Sequence, residues 1–379
     1  MKHPTTSATT DLGHYDLAVV GAGIVGLAHA AEALSRGLRV TVIERDQYAV
    51  GASLRNFGHI CATAQTGEAL DLALTARESW LVLGKKAGFD VDTCGTVVLA
   101  RNDDETAVLE EFATARGSDQ VRLLTPTQVV DLIPFATSEV RAGALLPLDL
   151  RVDPRAALPA LAGWLADQGV DLRWSTHAGA IEPGVVHTSR GDARAERIVH
   201  ATGHDVGRLF PDIAQEHDVQ RCVLRMLEVA PPSDVVVRPA VLTGLSMLRY
   251  GGMSDLPAAA LLRDRIAADQ PELLDVAMNL MLTQRPDGSI VLGDTHHHAR
   301  TPMPFEDEGV VALVVREGER LLGAPLTIRR RWRGVYATSS QTDFLVAEPH
   351  HGTRVVSVTS GIGMTTALGL APRVLDQLL

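Results

Sequence analysis

Cysteine is scarce in this chain of 379 residues. Its three cysteines, Cys61, Cys94 and Cys222, are odd in number, widely separated and without CxxC spacing, which excludes a disulfide framework and points to a reducing compartment, the cytoplasm. Long hydrophobic runs are missing too. No stretch of about 18 apolar residues occurs, and the polar opening MKHPTTSATTDLGH has no apolar core of signal-peptide length, so no membrane span or secretion signal is expected. Positive charge is also in deficit. A formal net charge of −11 argues against an extended nucleic-acid surface, although an acidic protein can still hold a local basic pocket.

What is present starts at Tyr15, with YDLAVVGAGIVGLAHAAEALSRGLRVTVIE over 15–44. The apolar run 17–20 reads as a buried strand, 24–36 has helical periodicity, and 39–43 reads as a second strand. Between strand and helix lies GxGxxG. Gly21 permits the tight turn, Gly23 lets backbone approach a pyrophosphate, and Gly26 lets the helix pack on the strand, with Ala22, Ile24 and Val25 between them presenting backbone at the helix N-terminus. Glu44, followed by Arg45, ends the second strand roughly 20 residues on, where a carboxylate accepts hydrogen bonds from ribose hydroxyls and disfavours a 2′-phosphate. An adenine dinucleotide is therefore expected here, with NAD and FAD both open.

At 379 residues the chain has room for two or three domains. The pattern predicts an α/β protein, a Rossmann-like cofactor domain with a discontinuous α+β substrate domain built on an antiparallel sheet. A polar lead fills 1–13, and the cofactor domain is expected to be assembled from 14–86, 149–216 and 327–379, with 87–148 and 217–326 forming the substrate domain. In the second of these, 222–229, 246–250 and 280–292 read as strands, the last turned at Pro-Asp-Gly over 286–288, and 306–322 as a helix.

Three further segments make the chain resemble the D-amino-acid oxidase, glycine oxidase and sarcosine oxidase superfamily of flavoproteins. GASLRNFGHI at 51–60 is similar to the family's polar loop on the flavin side of the cofactor, with Ser53, Arg55, Asn56, Gly58 and His59 at the matching positions. IVHATGHDVGRLF at 198–210 is similar to its second cofactor motif, carried by Ala201, Thr202 and Gly203. SVTSGIGMTTALGLAP at 357–372 looks like its C-terminal flavin loop and helix, with Ser360, Gly361, Ile362, Gly363, Met364 and Thr365 against the isoalloxazine. The resemblance implies FAD rather than NAD. Some relatives tether the flavin through a cysteine in the region matching Trp332 to Ala337, which includes Gly334 and contains no cysteine here, so noncovalent FAD is implied. Cys61 reads as a small buried hydrophobe.

The same resemblance implies an amine oxidation in which the flavin takes a hydride from the amine α-carbon, the imine hydrolyses, and oxygen or another acceptor reoxidises the cofactor. The protein orients and tunes, so no catalytic triad is required, but the amine must be neutral when hydride leaves. Amino-acid oxidases of the family clamp the substrate carboxylate with arginine in a Gly-Leu-Arg-Pro-like sequence, whereas this chain has Gly334-Val335-Tyr336-Ala337. RCVLRML at 221–227, LRYGG at 248–252 and GDTHHH at 293–298 resemble a narrower subgroup, the oxidoreductases associated with aminophosphonate catabolism, and that resemblance implies an aminoalkylphosphonate such as N-methyl-2-aminoethylphosphonate. Candidate substrate-side residues are Arg225, Arg249, Tyr250, His296 and Tyr336, with His59 nearer the flavin. Adjacent histidines on a strand face opposite ways, so the histidine run does not make a metal site, and no metal is expected. Alternatives are a glycine- or sarcosine-type amino-acid oxidase with another arginine in place of the missing clamp, and a dehydrogenase passing electrons to a carrier. Some relatives act on tRNA, which the acidic balance opposes.

Overall fold

The computed structural model describes residues 10–135 and 139–379, so the expected polar lead lies, over 1–9, outside the described residues. The fingerprint folds as its periodicity predicts. Strand Asp11–Val20 ends in four buried residues, helix Ile24–Ser35 returns over it, and strand Val40–Ile43 pairs parallel to it, Val20 opposite Ile43. On its other side Val20 pairs with His200 of strand Gly191–His200, which in turn carries strand Thr353–Val358 in parallel. The sheet runs Phe344–Ala347, Thr353–Val358, Gly191–His200, Asp11–Val20, Val40–Ile43, Asp171–Arg173. Four parallel strands therefore end side by side at Val20, Ile43, His200 and Val358, and the order in which strands are added reverses across the first strand. Ligands of open α/β sheets sit beyond such a line of strand ends.

Glycine is required twice here. Gly21 has φ +107, and a Cβ on it would lie 2.5 Å from the Ala201 carbonyl oxygen; a Cβ on Gly26 would lie 1.8 Å from the Gly21 oxygen. Helix Gly363–Leu378 packs on helix Gly67–Ala87 so closely that a Cβ at Gly369 would meet the Leu72 carbonyl at 2.1 Å. Trp80, fully buried on the latter helix, donates its indole N–H to the Met364 carbonyl at 2.9 Å and so fixes the start of the C-terminal helix. Burial of a residue this large is worth a few kcal/mol, and truncating it would cost roughly 3–5 kcal/mol.

A second sheet is built from segments far apart in sequence. Its order is His297–Ala299, Gln220–Val229, Ile290–Gly293, Met281–Gln284, Ala240–Leu242, Thr96–Ala100, Ala142–Leu146, Arg122–Leu124, antiparallel except where Ala240–Leu242 meets Thr96–Ala100. Helices Asp103–Arg116, Ala258–Asp269 and Glu308–Leu322 bury Phe112, Leu262 and Val314 against it. Several expectations need correction. The segment 246–250 is not a strand: helices Gly244–Met247 and Gly251–Ser254 flank a turn there, and the Ser246 hydroxyl accepts from the Thr243 N–H at 3.3 Å, a local cap that short apolar alternation conceals. As expected, 280–292 folds as two short antiparallel strands, Met281–Gln284 and Ile290–Gly293, joined by the turn at 286–288. Strand Ile328–Thr338, expected to open the last cofactor segment, instead runs along Gln220–Val229 in the second sheet, Tyr336 opposite Cys222. A single bridge from Thr338 to Ser360 then ties it to the C-terminal loop.

Candidate functional site

One cavity of about 530 Å³ begins at the ends of the four parallel strands and extends to the face of the second sheet. At its first end, Glu44 Oε2 accepts from the Ala22 N–H at 2.8 Å and Oε1 from the Asp46 N–H at 3.1 Å. These bonds hold the carboxylate beside the glycine turn, and a carboxylate has acceptor capacity left for ribose hydroxyls. Gly23 faces the cavity, where a Cβ would meet only the Ser53 hydroxyl at 3.2 Å, so backbone and phosphates can come close. Arg45 also faces it, held by Asp205 at 2.7 Å. Although burial opposes its charge, Asp205 is kept well below the ordinary carboxylate range by Arg45, His204 and Arg221. Burial pushes His200 down to about 4, so the strand end at Ala201 carries a neutral imidazole.

The middle of the cavity is lined by the polar loop. Ser53 Oγ accepts from the Ile24 N–H at 2.9 Å, joining that loop to the helix start. Asn56 works inward: its Nδ2 donates to the Ala52 and Ser53 carbonyls at 2.9 and 2.8 Å, and its Oδ1 accepts from Gly58 at 2.7 Å. Gly58 is therefore structural, since a Cβ there would lie 1.9 Å from the Val152 carbonyl oxygen. Ala22 and Gly26 likewise shape the turn from behind the cavity wall, whereas Ile24, Val25, Arg55, Ala201, Thr202, Gly203 and Gly334 line it. His59 lines it as well and is buried, its Nε2 2.6 Å from the Thr96 hydroxyl and 3.5 Å from Asp149 Oδ2. The donor atoms of His59, Cys61 and Asp149 lie within 4.8 Å of one another, a spacing a metal would accept. Thr96 bonds His59 Nε2 and the Thr63 N–H donates to Asp149 Oδ1 at 2.8 Å, while His59 Nδ1 and Asp149 Oδ2 are buried without a hydrogen-bond partner among the described residues.

At the far end the C-terminal loop contributes Gly361, Ile362, Gly363, Met364 and Thr365, at the N-terminus of a 16-residue helix. Partial positive charge there favours negative charge on a ring system lying against it. Ser360 is behind the wall and acts through its carbonyl, which accepts from Arg249 Nη2 at 2.7 Å. Facing this loop are Arg249, Tyr250, Asn279, Met281, Asp294, His296 and Tyr336. The His296 ring stands edge-on to Tyr336 with centroids 6.3 Å apart, and the Arg249 guanidinium lies 5.9 Å from the Tyr250 ring centroid. Burial works against the Arg249 charge, but Tyr336, Tyr250 and Asp294 outweigh it and raise its pKa. Burial and then Arg249 push His296 down to about 3, so it is neutral. Burial raises both tyrosine hydroxyls, which stay protonated donors, and it pushes Asp294 up to about 7 against the pull of Arg249 and Asn279.

Five of the six expected substrate-side residues meet in the cavity. The exception is Arg225, which is turned away into an ion pair with Glu306, a residue also held by Arg333. A half-buried arginine with an acid on the neighbouring loop pairs with it rather than waiting for a ligand. At the substrate end of the cavity the polar residues Asn279 and Asp294 were missed. Asn279 follows an irregular segment without a motif, and Asp294 is an acid ending an apolar strand, a signal hidden by the histidines beside it. His297 and His298 are exposed.

The fit to a dinucleotide with a second ring system is thus carried by the open Gly23, the Glu44 carboxylate, and the helix N-terminus at Gly363. A family model described as FAD dependent oxidoreductase (DAO) matches residues 16–376. Among curated relatives, glycine oxidase of Geobacillus kaustophilus is 29% identical over 211 residues, 52% of this chain and 56% of that protein. Glycerol 3-phosphate oxidase of Mycoplasma pneumoniae is 26% identical over 213 residues, 50% of this chain and 54% of that protein. The chain thus spans about half the length of the curated relatives it matches. Among solved structures, L-proline dehydrogenase from P. horikoshii superposes with TM-score 0.77 at 21% identity, covering 95% of this chain and 92% of that one, a likeness of fold.

Proposed function

This chain belongs to the DAO family of FAD dependent oxidoreductases, and from that membership we propose that it oxidises a small amine carrying an anionic group, an aminoalkylphosphonate such as N-methyl-2-aminoethylphosphonate. The observation that carries this reading is the cluster of Arg249, Tyr250, His296 and Tyr336 facing the C-terminal loop across one cavity. FAD, when bound, supplies the two-electron acceptor. Gly21, Gly23, Gly26 and Glu44 would hold its adenosine and pyrophosphate, and Gly361 to Thr365 its ring. Arg249 gives the substrate anion a fixed charge, with its guanidinium oriented by the Ser360 carbonyl, and the two tyrosine hydroxyls and neutral His296 offer further hydrogen bonds. Apolar neighbours Met281, Leu224 and Ile362 exclude water from the reacting carbon.

A second reading, a carboxylate substrate of glycine or sarcosine type, is favoured by the diversion of Arg225 to Glu306, which leaves Arg249 as the arginine of this substrate-side cluster. One guanidinium balances one carboxylate, whereas a phosphonate near its dianionic form asks more of the hydroxyls. Product analysis separates the two: N-methyl-2-aminoethylphosphonate should yield phosphonoacetaldehyde and methylamine. Turnover of glycine or sarcosine to glyoxylate, with none on aminophosphonates, would overturn the first reading in favour of the second.

A further inference from the structure

Oxidation of an amine requires somewhere for its proton to go, and the histidine in this cluster is a poor destination. His296 donates through Nδ1 to the Ala277 carbonyl at 2.9 Å, which fixes that nitrogen as the N–H, and it sits beside the Arg249 charge. The tyrosine hydroxyls are already protonated. Asp294 is different. It is 4% exposed, lines the cavity, and is clamped by Asn279 on three sides: the two backbones exchange N–H···O bonds of 2.8 Å each, and Asn279 Nδ2 donates to Oδ1 at 3.1 Å. Oδ2 makes no hydrogen bond among the described residues. A carboxylate on the wall of a ligand cavity, with one oxygen bonded and the other without a hydrogen bond, is placed to take its second partner from a ligand.

Resting on the amine reading above, we infer that Asp294 is the ammonium subsite and proton acceptor: Oδ2 binds the substrate N–H⁺ while Arg249 holds the anion at the other end of the molecule. The pair makes the site selective for zwitterions. In the step itself the N–H proton passes to Oδ2, giving the neutral amine with its lone pair and the protonated Asp294. FAD, when bound, would supply the acceptor for the α-hydrogen and its electron pair, so that the neutral amine would become an iminium ion ready for hydrolysis as the flavin gains two electrons. Burial suits the cycle, because an acid whose charged and neutral forms are close in energy near neutral pH can both take up and release the proton. Besides Asn279, Arg249 acts on Asp294, and Asp294 in turn acts on Tyr250 from the same turn and on Tyr336 and Cys222 from the paired strands, while His296 lies two residues on.

The test uses flavin-loaded enzyme and an amine that bleaches the wild type anaerobically. Flavin reduction should rise with pH along a limb between about pH 6 and pH 8. Asp294→Asn should abolish that limb and weaken binding of the amine about 10- to 100-fold, while an analogue with the same anion and no nitrogen binds as before; Asp294→Glu should restore part of both. Wild-type rates, pH limb and amine affinity in Asp294→Asn would overturn the inference while leaving amine oxidation intact. Should the variant lose flavin, the wild type decides: absence of the limb, or equal affinity for the amine and its nitrogen-free analogue at pH 8, overturns it. If no amine bleaches the wild-type flavin, the proposed function falls and this inference with it.

Discussion

Arg249 donates through Nη2 to the carbonyl of Ser360 at 2.7 Å, across 111 positions of sequence. The bond joins the substrate-side turn to the C-terminal loop, so the cation and the surface against which the flavin would lie are set by one contact.

From this follows a contrast between two arginines. Arg249→Lys loses the planar fork and the oriented bond, and should raise the substrate KM about 10- to 100-fold with flavin content unchanged. Arg225→Ala breaks an ion pair with Glu306 outside the cavity and should leave KM within about threefold. Steady-state kinetics on both variants check this, and equal losses would mean that Arg225 reaches the substrate after all.

Glycine substitutions should divide by what a methyl group meets. Gly26→Ala drives a Cβ against the Gly21 carbonyl oxygen, and should expel the cofactor, read as the ratio of flavin to protein absorbance. Gly163, in the helix Pro154–Asp167, has nothing within 4 Å of an added Cβ, so Gly163→Ala should stabilise by about 0.5–1 kcal/mol in a denaturant titration. A destabilised Gly163→Ala protein would show that this helix surface is not open.

Acid should unfold the protein through its buried histidines. His29, fully buried on the first helix, and His200 are each pushed down to about 4 by burial, from an ordinary 6.5. A folded-state pKa below the unfolded one means that their contribution is complete above pH 6.5 and is lost as pH falls toward 4. His296 adds to this, and Asp294, raised to about 7, opposes it, contributing fully only below its unfolded value. Three groups against one leave stability falling with acid. His29→Leu should therefore lower the pH of the acid transition followed by circular dichroism, by an amount reflecting on the order of 3 kcal/mol. An unchanged midpoint would mean that His29 takes up its proton without unfolding.

The cofactor end of the site was legible because its signals are local. A turn that must be glycine at 21 and 26, an apolar strand before it and an acid after the next strand all lie within thirty-odd residues, where spacing alone reports geometry. The substrate end was legible only in part. Tyr250 and Tyr336 were found from segment resemblance, but Arg225 and Arg249 looked alike as cations among apolar residues. What separates them is Glu306, a partner 81 positions from Arg225 that no periodicity announces. Asp294 escaped for the complementary reason: its partner Asn279 is brought to it only by the hairpin between them, and a lone acid at a strand end otherwise reads as solvent-facing.

The most direct test of the account is anaerobic titration of the purified protein with a panel of amines bearing a phosphonate or a carboxylate, followed by flavin absorbance. The account predicts a yellow protein whose flavin bleaches with one equivalent of an anionic amine, more readily than with the same compound lacking nitrogen or lacking the anion. A flavin that stays oxidised with every amine but bleaches with hydroxy acids or glycerol phosphates would contradict it.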